Sequence, residues 1–151
     1  MDTLSYKTLS SNKETANKKW FVVDAENQIL GRMASKVAKI LRGKYKTNFT
    51  PHADCGDYVI IVNSSKIIMT GKKMSDREIF SHTGYPGGQK RITPNEMMEK
   101  DSTSLLRHAI KGMLPKNKLG SAIIKNLYIY SNESHNHEAQ KPKLLNLKDL
   151  K

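Results

Sequence analysis

Cysteine is almost missing from this 151-residue chain, which holds Cys55 and no other. No intrachain disulfide can form, and nothing calls for an oxidising compartment. Long apolar runs are missing as well. The segment from Met1 to Trp20 carries Asp2, Glu14 and scattered lysines with no continuous apolar stretch, so it reads as neither a secretory signal nor a membrane span. The expectation is a cytoplasmic protein with no membrane partner. Acid is scarce too: 14 Asp and Glu stand against 26 Lys and Arg, a formal net charge of +12. Solubility alone does not require such an excess, whereas binding to nucleic acid does. The mean hydropathy of −0.61 and a hydrophobic fraction of 37% are low for a free-standing enzyme, because much of the surface must face a polar or ionic partner.

Catalytic and nucleotide-binding constellations are also lacking. A P-loop needs Gly-x4-Gly-Lys-Ser/Thr. The pairs Gly43-Lys44 and Gly71-Lys72 have Ala38 and Lys66 where the first Gly belongs, and Tyr45 and Lys73 where the Ser or Thr belongs, which excludes that loop. His52, Asp54, Cys55 and Asp57 form one polar cluster, and His135 and His137 another. Neither has the repeated Cys or His pairs of a structural zinc site. Cys55 lies near His52, but no oxyanion site or orienting partner accompanies it. The carboxylates are too scattered to nominate an acid/base pair.

What is present is one domain with tails, since the length suits a single core. Residues 1–19 are polar and non-periodic and read as an arm, 20–131 as the folded domain and 132–151 as an extended tail. Trp20-Phe-Val-Val-Asp24 and Tyr58-Val-Ile-Ile-Val62 read as strands, the first buried on both faces, with a short third strand at 67–69 and a last one at 128–130. Leu30, Met33, Ala34, Val37, Ile40 and Leu41 recur at helical spacing before Gly43, which predicts an amphipathic helix over 30–42. Residues 95–100, 103–114 and 119–127 also read as helices. Strands alternating with a long helix favour an α/β fold with a partly parallel sheet.

The charge is not spread evenly. No acid occurs between Glu26 and Asp54, or between Asp101 and Glu133. In the first interval Arg32, Lys36 and Lys39 share the polar face of the helix, and Arg42, Lys44 and Lys46 are interleaved with Tyr45, Phe49 and His52, a mixture suited to phosphates and unstacked bases. The second interval carries Arg107, Lys111, Lys116, Lys118 and Lys125. Its turn, 112–120, holds Lys116 and Lys118 beside Pro115 between glycines, which stiffens it. The Gly-rich segment 81–88 allows close backbone approach to a phosphate. The candidate RNA ligands are therefore Arg32, Lys36, Lys39, Arg42, Lys44, Lys46, Lys111, Lys116 and Lys118 for phosphates, with Tyr45, His52 and Tyr85 for stacking or 2′-OH contact.

Trp20-Phe-Val-Val-Asp24, Leu30-Gly-Arg32, Leu41-Arg-Gly-Lys44, Thr50-Pro-His-x-Asp54, Gly56-Asp57, His82-Thr-Gly84, Lys111-Gly-Met-Leu-Pro115 and His135-x-His137 follow one another in a single order. Together they resemble the bacterial-type family of large-subunit ribosomal protein thirteen, over roughly residues 20–142. The resemblance implies a three-layer α/β/α domain around a small, mainly parallel or mixed four-stranded sheet with extended tails. It also implies a structural constituent of the large ribosomal subunit that binds rRNA, packs beside neighbouring ribosomal proteins and supports early subunit assembly. The resemblance further implies poor rRNA binding by the isolated protein and, as for some members, mRNA binding and translational repression. The family transfers no catalytic residue, and no cofactor, metal or small-molecule substrate is expected. Two departures stand out: an arm before Trp20 somewhat longer than in many members, and Ser121 where a basic residue is common. The competing expectation is an RNA-processing or RNA-modifying enzyme centred on residues 52–57. A sequence-specific DNA regulator ranks below both, for want of a helix-turn-helix or zinc-finger pattern.

Overall fold

A computed structural model describes residues 10–12 and 15–147. The rest of the expected arm, 1–9 and 13–14, and the end of the expected tail, 148–151, lie outside the described residues. The aromatic and β-branched run Trp20–Asp24 forms β1. It is followed by α1 (Leu30–Arg42), whose buried stripe is Leu30, Met33, Ala34, Val37, Ala38, Ile40 and Leu41. Gly43 ends that helix at φ 78°, donating its N–H to the carbonyls of Ile40 and Lys39. A left-handed cap of this kind favours glycine, and Lys39 and Arg42 in the last turn complement the helix dipole.

Tyr58–Val62 forms β2. A short helix α2 (Lys73–Asp76) precedes the strands β3 (Ile79–His82) and β4 (Gln89–Ile92). Then come α3 (Pro94–Lys100), opened by a Thr93/Glu96 capping box with proline in the first turn, and α4 (Ser102–Met113), capped by Asp101. Both starts use an oxygen side chain to satisfy orphan N–H groups. The chain continues through α5 (Lys118–Ile123), β5 (Leu127–Ile129) and β6 (Lys143–Leu144).

The main sheet has the order β5-β2-β1-β6 and is parallel throughout, in agreement with the expected four-stranded, mainly parallel sheet. Trp20 pairs with Tyr58 and Val59 with Leu127, so alternation puts Val23, Val59, Ile61 and Leu127 on one face. These four join α1, α4 and Ile123 of α5 in one buried core. The opposite face carries Trp20, Tyr58 and Tyr128, with Trp20 stacked on Tyr58 at 4.4 Å. His137 packs there against Tyr128 at 4.5 Å and Trp20 at 5.2 Å. The third layer is therefore the 131–142 connection and not a long helix. Going from β5 to β6 reverses direction along the sheet, and a right-handed crossover must then change faces.

Several elements differ from the sequence reading. Residues 67–69 keep only a single parallel bridge, Ile29 with Ile68, because the sheet edge beyond β2 is already taken by β5. The helix expected over 119–127 stops at Ile123, and a 3-10 turn at Ile124–Asn126 swings the chain into β5. Asn126 marks that turn, its buried amide donating to Asp54 at 3.0 Å. Part of the arm is packed: Ser11 and Ala16 are buried, and the Ser11 N–H donates to Thr50 Oγ1 at 3.0 Å. The tail adds β6 and places Leu147 in the core. β3 and β4 form a separate antiparallel hairpin that the sequence reading lacked, since its strands offer almost no buried side chains to create an apolar alternation.

Candidate nucleic-acid interface

The first basic stretch divides into cations that face solvent and cations that the fold engages. Arg32 and Lys39 on α1 and Lys44 just after it are exposed. Lys36, on the same helix face, is half-buried, and its Nζ donates to the Leu147 carbonyl. That contact follows from the packing of Leu147 into the core beside α1. The Arg42 guanidinium lies over the Phe49 ring, 5.8 Å from its centroid, which holds the loop against the end of the helix.

Lys46 turns inward, while Tyr45 stays exposed on the surface and directs its hydroxyl to Asp57. Lys46 Nζ lies 2.7 Å from Asp57 Oδ1, with the lysine side chain 13% exposed and the carboxylate 0%. Asp57 also accepts the Lys19 N–H at 2.7 Å and the Tyr45 hydroxyl. Burial penalises the charged form of both partners: it pushes the Asp57 carboxyl up to about 6, against the opposing pull of the Lys19 N–H, and holds the Lys46 ammonium below its ordinary range. Backbone crowding fixes this corner. A Cβ on Gly56 would stand 1.7 Å from the Leu41 carbonyl oxygen, so only glycine lets the Asp57 segment close on the end of α1.

The cluster at 52–57 does not converge on a reaction centre. Asp54 pairs with Lys18 at 2.5 Å and accepts from Asn126, Asp57 is enclosed as described, Cys55 is buried, and His52 is exposed. Among the described residues no group of three or more His, Cys, Asp or Glu is placed to hold a metal ion. Likewise, no helix among them is long and apolar enough to cross a membrane.

The second basic stretch is organised differently. α4 ends at Met113, and Leu114 to Asn117 turn the chain into α5. Asn117 caps α5, its Oδ1 accepting the Gly120 N–H at 2.8 Å. A Cβ on Gly120 would stand 1.9 Å from the Pro115 carbonyl oxygen, so glycine is what lets the turn fold back on itself. A surface cleft of about 450 Å³ results, lined by Lys111, Lys116, Asn117, Gly120 and Ser121 over an apolar base of Leu114, Pro115 and Ile124. Lys118 is exposed on the first turn of α5 beside it. Among the described residues Lys111, Lys116 and Lys118 enter no ion pair. The structure thus brings Lys111 and Lys116 together and adds Asn117, which the sequence reading passed over. Its signal was the cap pattern of Asn followed three residues later by glycine, before an apolar run.

Tyr85 stands at the tip of the β3–β4 hairpin, 73% exposed, where Gly84 and Gly87 adopt positive φ. It lies on an element distinct from the other candidate ligands. On the same hairpin Phe80 is exposed beneath the Arg91 guanidinium, 5.5 Å from its ring centroid.

Comparison with known proteins gives a consistent picture. The family model for ribosomal protein L13 matches residues 18–136. The large ribosomal subunit protein uL13 of Mycoplasmopsis synoviae (strain 53) is 56% identical over 137 residues, covering 91% of this chain and 95% of that protein. Its namesake in Trichlorobacter lovleyi is 52% identical over 141 residues, covering 93% and 99%. That of Symbiobacterium thermophilum is 53% identical over 139 residues, covering 92% and 97%.

Proposed function

The chain belongs to the ribosomal protein L13 family of the large ribosomal subunit, a structural and non-enzymatic family, and on that premise we propose that it is an rRNA-binding bracket that fixes RNA segments during early assembly of the subunit. The observation that carries this reading is the set of exposed cations around the 111–121 cleft that enter no ion pair among the described residues, held on a turn that Pro115 and Gly120 make rigid. Rigid cations neutralise phosphates without first being ordered, so less entropy opposes binding. The backbone contacts set position and orientation, and specificity comes from RNA shape.

Lys111, Lys116 and Lys118 are the phosphate ligands of one zone, and Arg32, Lys39 and Lys44 those of the other. Arg42 reaches the RNA from its platform on Phe49, while His52 and Tyr85 stack or meet 2′-OH groups. Lys36, Lys46 and Tyr45 serve the fold that presents these groups. The partners are large-subunit rRNA and neighbouring ribosomal proteins, and the working location is the cytoplasm, within the subunit. Sedimentation of a lysate in high salt tests the assignment, with the chain expected in the large-subunit fraction. If about six phosphates are neutralised, affinity for an rRNA fragment falls roughly 10³-fold between 50 and 200 mM salt. An isotherm insensitive to salt removes the mechanism.

A further inference from the structure

A second basic cleft lies where the start of α1, the α2 segment and the end of α4 meet. It measures about 570 Å³, and its cationic or imidazole lining groups are Arg32, Lys73, Arg77 and His108, with no carboxylate in the lining among the described residues. The acids that flank Arg77 in sequence have other partners: Asp76 Oδ1 accepts the Ser75 hydroxyl at 2.6 Å, and Glu78 pairs with Arg91 at 3.5 Å. None of Arg32, Lys73 or Arg77 is ion-paired among the described residues. The first turn of α1, which lines one wall, has no acid and no side-chain cap, so its dipole adds to the positive potential.

We infer that this cleft binds a backbone phosphate of RNA and joins the two basic zones into one continuous track. Continuity with the 111–121 cleft argues for this occupant. Gly112 and Met113 form part of this wall, while Lys111 and Leu114, on either side of them in sequence, line the other cleft. Arg32 comes from the first acid-free stretch and His108 from the second. The cleft is thus where segments far apart in the chain present cations to the same strand. Acid-free intervals do not single out Lys73 and Arg77, because Asp76 and Glu78 flank Arg77 and Asp76 follows Lys73 by three positions. This inference rests on the rRNA-binding reading, and its test is chosen to separate the two.

The test uses large subunits purified from cells making the full chain with Met113→p-benzoylphenylalanine, since Met113 is exposed on the rim. The same probe at Thr70, another lining position, covers the case in which the first impairs incorporation. Irradiation is expected to link both probes to rRNA. Failure of the chain to sediment with the subunit refutes the underlying reading. Sedimentation with crosslinks to protein alone, or to nothing, refutes only this inference. In a parallel arm, K73Q/R77Q with unchanged circular dichroism is expected to lower the salt slope of rRNA-fragment binding by about 1, the share of the one phosphate neutralised in this cleft. An unchanged slope overturns the proposal. Inorganic phosphate alone is the remaining probe: saturable submillimolar binding in this cleft without an RNA crosslink identifies a free-anion site and overturns it as well.

Discussion

Lys46 and Lys116 both stand in stretches free of acid, yet the fold uses them in opposite ways. Lys46 is 2.7 Å from a carboxylate with no exposure at all, and its ammonium also donates to the Asn17 carbonyl at 2.9 Å. Lys116 lines an open cleft and enters no ion pair among the described residues. The difference arises from what lies nearby in space. Asp57 is brought under the 44–46 loop because Gly56 lets its backbone close on the end of α1, whereas among the described residues no carboxylate lines the cleft of the 112–120 turn. Stability and binding should therefore separate cleanly between the two regions.

The most disruptive change to that contrast is Asp57→Ala. It strands the Lys46 ammonium in a buried site and leaves the Lys19 N–H and the Tyr45 hydroxyl without their acceptor. A loss of about 3–5 kcal/mol of unfolding free energy is expected, read as a lower urea midpoint. A loss below about 1 kcal/mol would show that the pair is no better than a surface contact. Gly120→Ala comes next. Its Cβ meets backbone, which cannot swing aside, at 1.9 Å, so overpacking is expected to cost about 1–3 kcal/mol and to open the 111–121 cleft. Retained stability together with retained RNA affinity would show that the cleft is not built by this contact.

Acid then sharpens the comparison. The Asp57 carboxyl titrates near 6 in the folded chain, above its ordinary 3.8, so the native state binds the proton more tightly than the unfolded chain. Stability contributed by this group consequently rises as pH falls through 6 toward 4, and is lost as pH climbs back through 6. Between pH 7 and pH 5 the gain is about 1 kcal/mol. Other groups titrate in the same window, so the quantity to measure is the pH dependence of the wild-type chain minus that of Asp57→Asn. A difference of the opposite sign would mean that attraction to Lys46 outweighs desolvation at this site.

The long α1, β1, β2 and the parallel α/β sheet were legible in the sequence because apolar periodicity and β-branched runs report burial directly. The hairpin at 79–92 was not, since its side chains are almost all exposed. β6 escaped notice because a two-residue strand carries no period, and because its place beside β1 depends on a crossover whose His137 packs on Trp20. For the candidate site, acid-free intervals pick out stretches of cations but not what each cation meets inside the fold. Lys36 and Lys46 meet groups 111 and 11 positions away in the chain, and no local pattern announces either contact. Asp57 illustrates the reverse case: as one acid in a polar cluster it suggested chemistry, but enclosure made it an anchor.

The smallest expected effect on stability is also the one that isolates binding. Lys116→Ala with Lys118→Ala removes two exposed ammonium groups that enter no ion pair among the described residues, so the unfolding free energy should stay within about 0.5 kcal/mol of wild type. If both groups neutralise phosphates, the salt slope of rRNA binding should fall by about 2 and affinity should drop across RNA sequences alike, as expected for backbone contacts. Incorporation into large subunits should fall with it while circular dichroism is unchanged. Lys46→Ala should do the converse, lowering the urea midpoint strongly while leaving the slope per bound molecule near wild type. Two lysine changes of the same chemistry would then differ in both observables and in opposite order. Should the Lys116/Lys118 variant unfold while Lys46→Ala remains stable and loses RNA, the roles given to the two regions are reversed, because the buried ammonium would then be the one that RNA draws out.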